Sequence, residues 1–487
     1  MRLLQNELFR RSSEKRPVEE DPRQLHLFNE AEVSAEEKPV TEEIEVPAHT
    51  RQKPRRKPLP EHLPRVEVIH DIVEEEKICA CGATLSRIGE EVSEKLDIIP
   101  ARVQVIRTIR PKYACKGCEG VESEGGAVRI AEPPPEMIPK GIATAGTLAY
   151  VATAKYADGT PLYRLSKILE RYGIEIPRST MASWMVMAGD RCRLIMEMLQ
   201  RELKSGALIN CDETPVQVLF EPGRANTTDS YMWVFRGGDP QKPVVLFHYA
   251  PTRSGDVPRE ILEGYQGYLQ TDAFSAYDQF DRPGSRIVLI GCMAHVRRNF
   301  VKVIDARGKG AKKTGSAEVA LEYIRKLYAI EKVARERKLT PDEIRALRKK
   351  EAEPILKEFK AWMKGRLPQT PPKGLLGKAL SYALNHWHKL IRYLEDGRIP
   401  IDNNMAENAI RPFVVGRKNW LFNGHPNGAK AAATLYSLIE TARACGLEPY
   451  QYLRYLFERL PFARSEEDHL ALLPQMLTPE QLTRSLQ

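Results

Sequence analysis

Three acidic positions in this sequence have the chemistry of ligands for a hard cation. The first lies in Ile399-Pro400-Ile401-Asp402-Asn403-Asn404-Met405-Ala406-Glu407-Asn408-Ala409-Ile410-Arg411-Pro412. That stretch reads as a loop entering a short helix. A side-chain oxygen of Asp402 would accept a free backbone N–H at the helix start, and Pro412 would end or kink the helix. Asn403, Glu407 and Arg411 stand at i, i+4 and i+8 and so share a face. A carboxylate between an amide and a guanidinium suits a metal and a phosphate. Taken alone, such a helix is most often a solvated polar face.

Two aspartates upstream change that balance. The apolar run at 207–211 leads into Asp212-Glu213-Thr214-Pro215, and the run at 267–271 leads into Asp272. Both read as strands with an acid just past the end, where open α/β sheets form their sites. Asp212, Asp272 and Glu407 could together hold a pair of divalent cations. Such ions activate water or a 3′-hydroxyl and stabilise the leaving oxygen of a phosphodiester. Carboxylates are the hard oxygen ligands that Mg²⁺ takes, with Mn²⁺ a possible substitute. Glu213 rivals Asp212, but on a strand it would point the other way.

The elements around these acids indicate how they would be placed. After the first strand come strand-like runs from about Val216, at 231–235 and at 244–247. A helix near 258–262 precedes the strand that leads to Asp272, and a last strand follows at 287–290. Meandering strands followed by alternating strands and helices argue for a mixed α/β sheet. The order resembles the ribonuclease-H-like fold, with an acid on the first strand, a second after the fourth and a third on a late helix. The acids Asp272 and Glu407 are 407 − 272 = 135 positions apart, which calls for an insertion. Residues 301–398 read as that insertion. Its helices are expected at 317–337, at 341–362 with a break at Pro354, and at 375–395.

The 487 residues suffice for several domains, and a formal charge of +9 favours an anionic partner. No stretch approaches the ~18 apolar residues of a membrane span, and Met1-Arg2-Leu3-Leu4-Gln5-Asn6-Glu7 has no signal core. A cytoplasmic protein, nucleoid-associated when on DNA, is the expectation. Of eight cysteines, Cys192, Cys211, Cys292 and Cys445 stand alone and read as small hydrophobes. Cys79, Cys81, Cys115 and Cys118 form two pairs, separated by alternating runs at Leu96/Ile98 and Val103/Val105. Two cysteine pairs joined by strands suggest a ribbon closed on one structural Zn²⁺. The first pair is tighter than usual, and incidental hairpin cysteines are the alternative. Arg102, Arg107, Arg110 and Lys112 would make the ribbon basic.

Further along, an amphipathic helix at 161–172, a break at Gly173 and a second helix from Ser179 resemble a helix-turn-helix, with a plain helical hairpin equally open. His295, Arg297 and Arg298 open a helix after the last strand, where they could meet metal or DNA phosphate; a structural histidine and solvated arginines are the alternative. Arg411, Arg417, Lys418 and Trp420 mix cations with an aromatic, which suits a nucleic-acid strand as well as an ordinary amphipathic segment.

In combination and in order, these blocks resemble the insertion-sequence-66 family of bacterial transposases. The resemblance rests on Leu8-Phe9-Arg10-Arg11-Ser12-Ser13-Glu14-Lys15, the cysteine pairs, Asp212-Glu213-Thr214-Pro215, Thr271-Asp272, Cys292-Met293-Ala294-His295-Val296-Arg297-Arg298, Asp402 to Asn408 and Gly416 to Phe422. It implies a DDE-type transposase that cleaves and joins DNA, with Asp212, Asp272 and Glu407 as its acidic ligands for two Mg²⁺. It also implies DNA ends and target DNA as partners, a homo-oligomer on DNA and possible helper proteins. Two departures stand out. The chain begins almost inside the expected N-terminal helix, and Asn408 occupies an arginine position.

The expected organisation is multidomain α+β. It comprises a helix remnant (1–17), a charged linker (18–65), a zinc ribbon (66–125) and a helical DNA-binding region (126–205). A ribonuclease-H-like core follows in two parts (206–300 and 399–445) around the helical insertion (301–398), and a helical segment closes the chain (446–487). Two other functions fit part of the pattern: a non-catalytic zinc-dependent DNA-binding regulator, and a ribonuclease-H-like nuclease that cuts without strand transfer.

Overall fold

The computed structural model describes residues 103–114, 128–272, 274–306 and 315–484. The chain forms two compact units, one of residues 39–131 and one of the remainder. In the smaller unit, strands β1 (Lys112–Ala114) and β2 (Val128–Ile130) pair antiparallel. Among the described residues 103–110 forms no strand, against the expectation at Val103/Val105, and all of it is exposed. Alternating residues satisfy the strand period, but without a face to bury they gain nothing from pairing. Cys79, Cys81, Cys115 and Cys118 lie outside the described residues, as do 1–17 and the charged linker.

The larger unit opens with helices α1 (Ala145–Ala152), α2 (Leu162–Glu170), α3 (Arg178–Arg191) and α4 (Arg193–Leu203). Gly173, at φ +76°, makes the turn between α2 and α3. A sheet of β3 (Leu208–Val218), β4 (Asp229–Asp239), β5 (Lys242–Ala250), β6 (Gly267–Gln270) and β7 (Ile287–Ile290) follows, ordered β5-β4-β3-β6-β7. The first three strands run antiparallel in sequence, and β6 and β7 are parallel to β3. A short helix α5 (Asp256–Ile261) links β5 to β6.

The break expected after Cys211 does not occur: β3 runs unbroken through Asp212 and Glu213 to Val218. Pairing of 210–217 with β4 carries it across Pro215. On its other side β3 is bare between Asn210, where β6 ends, and Gln217, where the short β8 (Phe422–Asn423) begins. Pro215 sits in that open edge, where a proline is tolerated.

Helix α6 (Met293–Asp305) leads into the insertion: α7 (Ser316–Glu336), α8 (Pro341–Leu347), α9 (Glu353–Arg366), α10 (Leu375–Asn385) and α11 (Trp387–Leu390). The break in its second helix falls on a wide turn at 348–352, so that Pro354 lies in the first turn of α9, where its missing N–H costs nothing. These helices have their own core, built on Phe300, Ile324, Phe359, Leu380 and Trp387, and it reaches the sheet through Ile290. The insertion also grips the turn after β6, with Lys389 Nζ 2.6 Å from Asp278 and Arg392 2.9 Å from Asp281.

The chain returns through α12 (Asn404–Trp420), α13 (Pro426–Ala444) and α14 (Pro449–Arg459). Local expectations are met only in part at α12. Its N-cap position is Asn403, which makes no side-chain cap bond, although Asp402 Oδ1 does accept from the N–H of Asn404 at 3.2 Å, and the helix passes through Pro412 to Trp420. The proline removes one backbone bond, but Ile410 and Phe413 on either side are buried, with Phe413 packed 5.3 Å from Tyr436 and 6.3 Å from Phe247, ring to ring. That burial outweighs a single missing N–H.

Strand β5 would be a bare edge, and α13 covers it. Thr441 Oγ1 bonds both the N–H and the carbonyl of Val245 at 3.0 Å, and Ser437 Oγ accepts from Phe247 N–H at 2.7 Å. Residues i and i+4 of the helix thereby serve i and i+2 of the strand, because ~6 Å of helix spans about two strand residues. Thr441→Val leaves both groups of Val245 buried and unmet. Chemical denaturation should show a loss of about 1–3 kcal/mol; unchanged stability would mean that water replaces the hydroxyl.

Candidate active site

Asp212 lies on β3, paired with Val234 of β4. Asp272 stands two residues past Gln270, the end of β6. Glu407 sits in the first turn of α12. The fold brings the three elements together, and the carboxylates of Asp212 and Glu407 feel the charge of others. Burial raises the Asp212 carboxyl well above its usual range, and Glu213, Glu407 and Asp272 add to the rise. Asp272 is raised by burial against the N–H of Phe274 and the cation of Arg253. Glu407 is pushed up to about 7, again by burial, although Arg298 opposes the shift.

The environments differ. Asp212 accepts from the N–H of Glu213 at 2.9 Å. Asp272 accepts from Phe274 N–H at 2.9 Å, and its side chain is 21 % exposed. Glu407 is 2 % exposed; its Oε2 accepts from Arg298 at 2.9 Å, while its Oε1 is buried without a hydrogen-bond donor. Glu213 points away from Asp212 and is already neutralised. Its carboxylate bonds Arg253 and the Tyr277 hydroxyl, and its side chain is 1 % exposed. Arg253 also stands 3.8 Å from Asp272 and stacks on Phe274.

The acids are not the tightest ligand cluster. Among the described residues, the set of His, Cys and acidic groups with ligand atoms within 4.8 Å of one another is Cys292, His295 and Glu407. Arg298 reaches His295 Nε2 at 3.2 Å. A guanidinium only donates, so Nε2 accepts, and in the neutral ring Nδ1 carries the proton. That proton faces Glu407 Oε1, 3.5 Å from Nδ1. Burial and the nearby Arg298 push the imidazole down to about 3, which keeps it neutral. His295 and Arg298 therefore act on Glu407.

Several residues expected to meet DNA are placed otherwise. Arg297 is buried, 8 % exposed, because its turn of α6 faces inward. Arg298 is engaged with Glu407. Arg417 donates to Thr214 Oγ1 at 3.1 Å, on the same face of β3 as Asp212. Trp420 packs its ring 5.6 Å from Phe413, with Lys155 Nζ 5.3 Å above it, and is not a free stacking platform. The continuous α12 turns that indole inward. Leu421 and Phe422 beside it are the exposed apolar side chains, and Lys418 is exposed as well. Arg411 is half-buried near Glu407.

Sequence reasoning missed Arg253 and Tyr277, which no local pattern marks. It also missed the buried amides Asn210 and Gln270, and gave Asn403 only a place on a helix face. Asn210 and Gln270 did carry a signal: a lone amide within an apolar strand run, two residues before an acid.

Comparison with known families decides the kinship. A model described as "Transposase IS66 family" matches residues 140–431, more than half of the chain. The chain belongs to the IS66 transposase family. Three further models of the family match in order: "zinc-finger binding domain of transposase IS66" over 76–119, "Transposase C of IS166 homeodomain" over 1–68, and "IS66 C-terminal element" over 437–475. The zinc-finger model spans Cys79, Cys81, Cys115 and Cys118. This IS66 chain is similar to two proteins of Sinorhizobium fredii. It is 34 % identical to "Uncharacterized protein y4jD" over 414 residues, 82 % of this chain and 78 % of the relative. It is 33 % identical to "Uncharacterized protein y4qI" over 454 residues, 88 % of this chain and 79 % of the relative. DNA is the partner that a transposase family with zinc-finger and DNA-binding regions implies. Among the described residues, no helix is long and apolar enough to cross a membrane.

Proposed function

We propose that this chain is a DDE-type transposase whose sheet is a ribonuclease-H-like core. The observation that carries this reading is that bonds among Asn210, Gln270 and Asn403 tie together the two strands and the helix that bear Asp212, Asp272 and Glu407, while Glu407 keeps a buried oxygen without a donor. The strand order supports the core: three antiparallel strands, then two parallel ones beside the first. The hard, anionic oxygens of the three acids suit Mg²⁺, with Mn²⁺ a substitute, and Asp212, Asp272 and Glu407 would hold two such ions. When bound they supply an activated oxygen nucleophile and stabilise the departing one.

The protein's own groups have separate tasks. Arg298 and His295 orient Glu407 from two sides, and Arg253 keeps Glu213 out of the way while remaining near Asp272. Lys418, Arg411 and the exposed Leu421 and Phe422 face DNA. The four cysteines hold one structural zinc, which metal analysis of the purified chain checks. In this reading the chain assembles as a homo-oligomer on DNA, with helper proteins possible, and acts in the cytoplasm at the nucleoid. In the same reading the chain divides into ribbon, helical region, split core and insertion at the boundaries expected from sequence.

The test is a reaction with labelled element ends and target plasmid in Mg²⁺. Cleavage followed by joined products is expected. Cleavage without joining would make the protein a nuclease, and metal-independent binding alone would make it a regulator.

A further inference from the structure

Beneath the three acids lies a chain of buried carboxamides. Asn210, Gln270 and Asn403 are 2 %, 0 % and 0 % exposed. Asn210 Nδ2 donates to Gln270 Oε1 and to Asn403 Oδ1, both at 3.0 Å. Gln270 Nε2 donates to the carbonyl of Pro400 at 2.8 Å, and Asn403 Nδ2 to the carbonyl of Cys211 at 2.8 Å. The backbone N–H of Asn403 lies 3.2 Å from Cys292 Sγ. The bonds tie β3, the end of β6 and the entry to α12 into one unit.

The spacing of amides and acids is regular. Asp212 is two residues past Asn210, and Asp272 two past Gln270. On β3 residues i and i+2 share a face, and Asp272 follows just beyond the end of β6. Glu407 is four past Asn403, one helical turn further along the same face. Each acid therefore follows closely on an amide of the group that Asn210 links. A hydrophobic contact would hold these elements together but would allow sliding. Directional bonds between buried groups do not, because any slip leaves an amide unpaired in a dry place.

We infer that Asn210, Gln270 and Asn403 are positioning residues that set the separation of the three carboxylates and so hold the geometry that Mg²⁺ requires more strictly than Mn²⁺. The inference rests on the metal-site reading above. Mg²⁺ demands near-ideal octahedral geometry, so a loosened site loses it first; Mn²⁺ is the probe for what remains. Residues that orient metal ligands typically contribute about 10–100-fold to affinity.

The experiment uses the full chain and measures binding, not turnover. Free Mn²⁺ is followed by electron paramagnetic resonance, and Mg²⁺ by its competition with Mn²⁺. The variants are Asn210→Ser and Gln270→Met. Asp212→Ala and Asp272→Ala set the baseline, and Thr441→Val, which removes equally buried bonds between α13 and β5, controls for lost stability. In both amide variants, Mg²⁺ affinity should fall about 10-fold or more, and Mn²⁺ affinity distinctly less. Thr441→Val should lower the melting temperature with the Mg²⁺/Mn²⁺ ratio unmoved. An unchanged ratio in both amide variants, with binding lost in the aspartate variants, would overturn the inference and leave the metal site standing. Wild-type binding by the aspartate variants would overturn both. If neither amide variant melts cooperatively, the amides hold the fold rather than the spacing, and the inference also fails.

Discussion

Asp212→Ala, Asp272→Ala and Glu407→Ala should each lower cleavage of element-end DNA by about a thousandfold or more. Loss of a metal ligand forfeits several kcal/mol of charge stabilisation, and each ~1.4 kcal/mol is a tenfold change in rate. Binding of the same DNA should stay within about threefold of wild type, because phosphate contacts come from cations and their salt-dependent term is untouched. Labelled-end cleavage and gel shift on the same preparations separate the two effects. Glu213→Gln is the informative contrast. Glu213 is enclosed by Arg253 and Tyr277, so its loss should disturb Asp272 through a freed Arg253 and reduce cleavage only in part. Wild-type cleavage by Asp272→Ala would remove that residue from the site; abolition by Glu213→Gln would exchange the roles of the adjacent acids.

A second large effect concerns stability without metal. Asp212→Asn should raise the melting temperature in EDTA at pH 8 by about 2–5 °C, even as it ends metal binding. The cause is the cost of an ionised carboxylate that is buried among like charges. The sign follows from proton linkage. Glu407 ionises at about 7 in the folded chain against 4.5 for a free side chain. Between those values the folded chain holds the extra proton, so this group's contribution to stability falls as pH rises through the window. Asp212 and Asp272 are raised as well and act in the same direction. The wild type should therefore lose stability from pH 5 to pH 8 in EDTA, and the variant should lose less. Added Mg²⁺ should restore the wild type by mass action, more at pH 8 than at pH 5.5, where protons compete for the same oxygens. Equal melting of the two proteins in EDTA at pH 8 would show that the acids are better solvated than their burial implies.

The elements that carry the acids were legible in the sequence because they follow local rules. Strand runs in 207–290 have the apolar content of buried strands, and the helices at 162–170 and 178–191 have a helical period with a glycine between them. What was not legible was non-local. That β3 continues past Asp212 depends on its pairing with β4, and that α12 survives Pro412 depends on the ring cluster of Phe413, Tyr436 and Phe247. The continuous helix also sets Trp420 against Phe413, a packing that spacing along the chain did not reveal. Arg253 reaches Glu213 from 40 positions away, a pairing that spacing along the chain does not encode. The grouping of Asn210, Gln270 and Asn403 is of the same kind.

Helix α12 is fastened to β3 at both ends. Asn403 bonds Asn210 and Cys211 at its start, and Phe422 and Asn423 pair with Gln217 and Val218 just past its finish. A strap buckled twice to one rail cannot be drawn tighter or let out. If one set of carboxylates serves both nicking and joining, the protein has no slack with which to exchange one strand for the other. The travelling parts must then be the nucleic acids: the cut end has to pivot and the target has to slide in, while the anvil stays still.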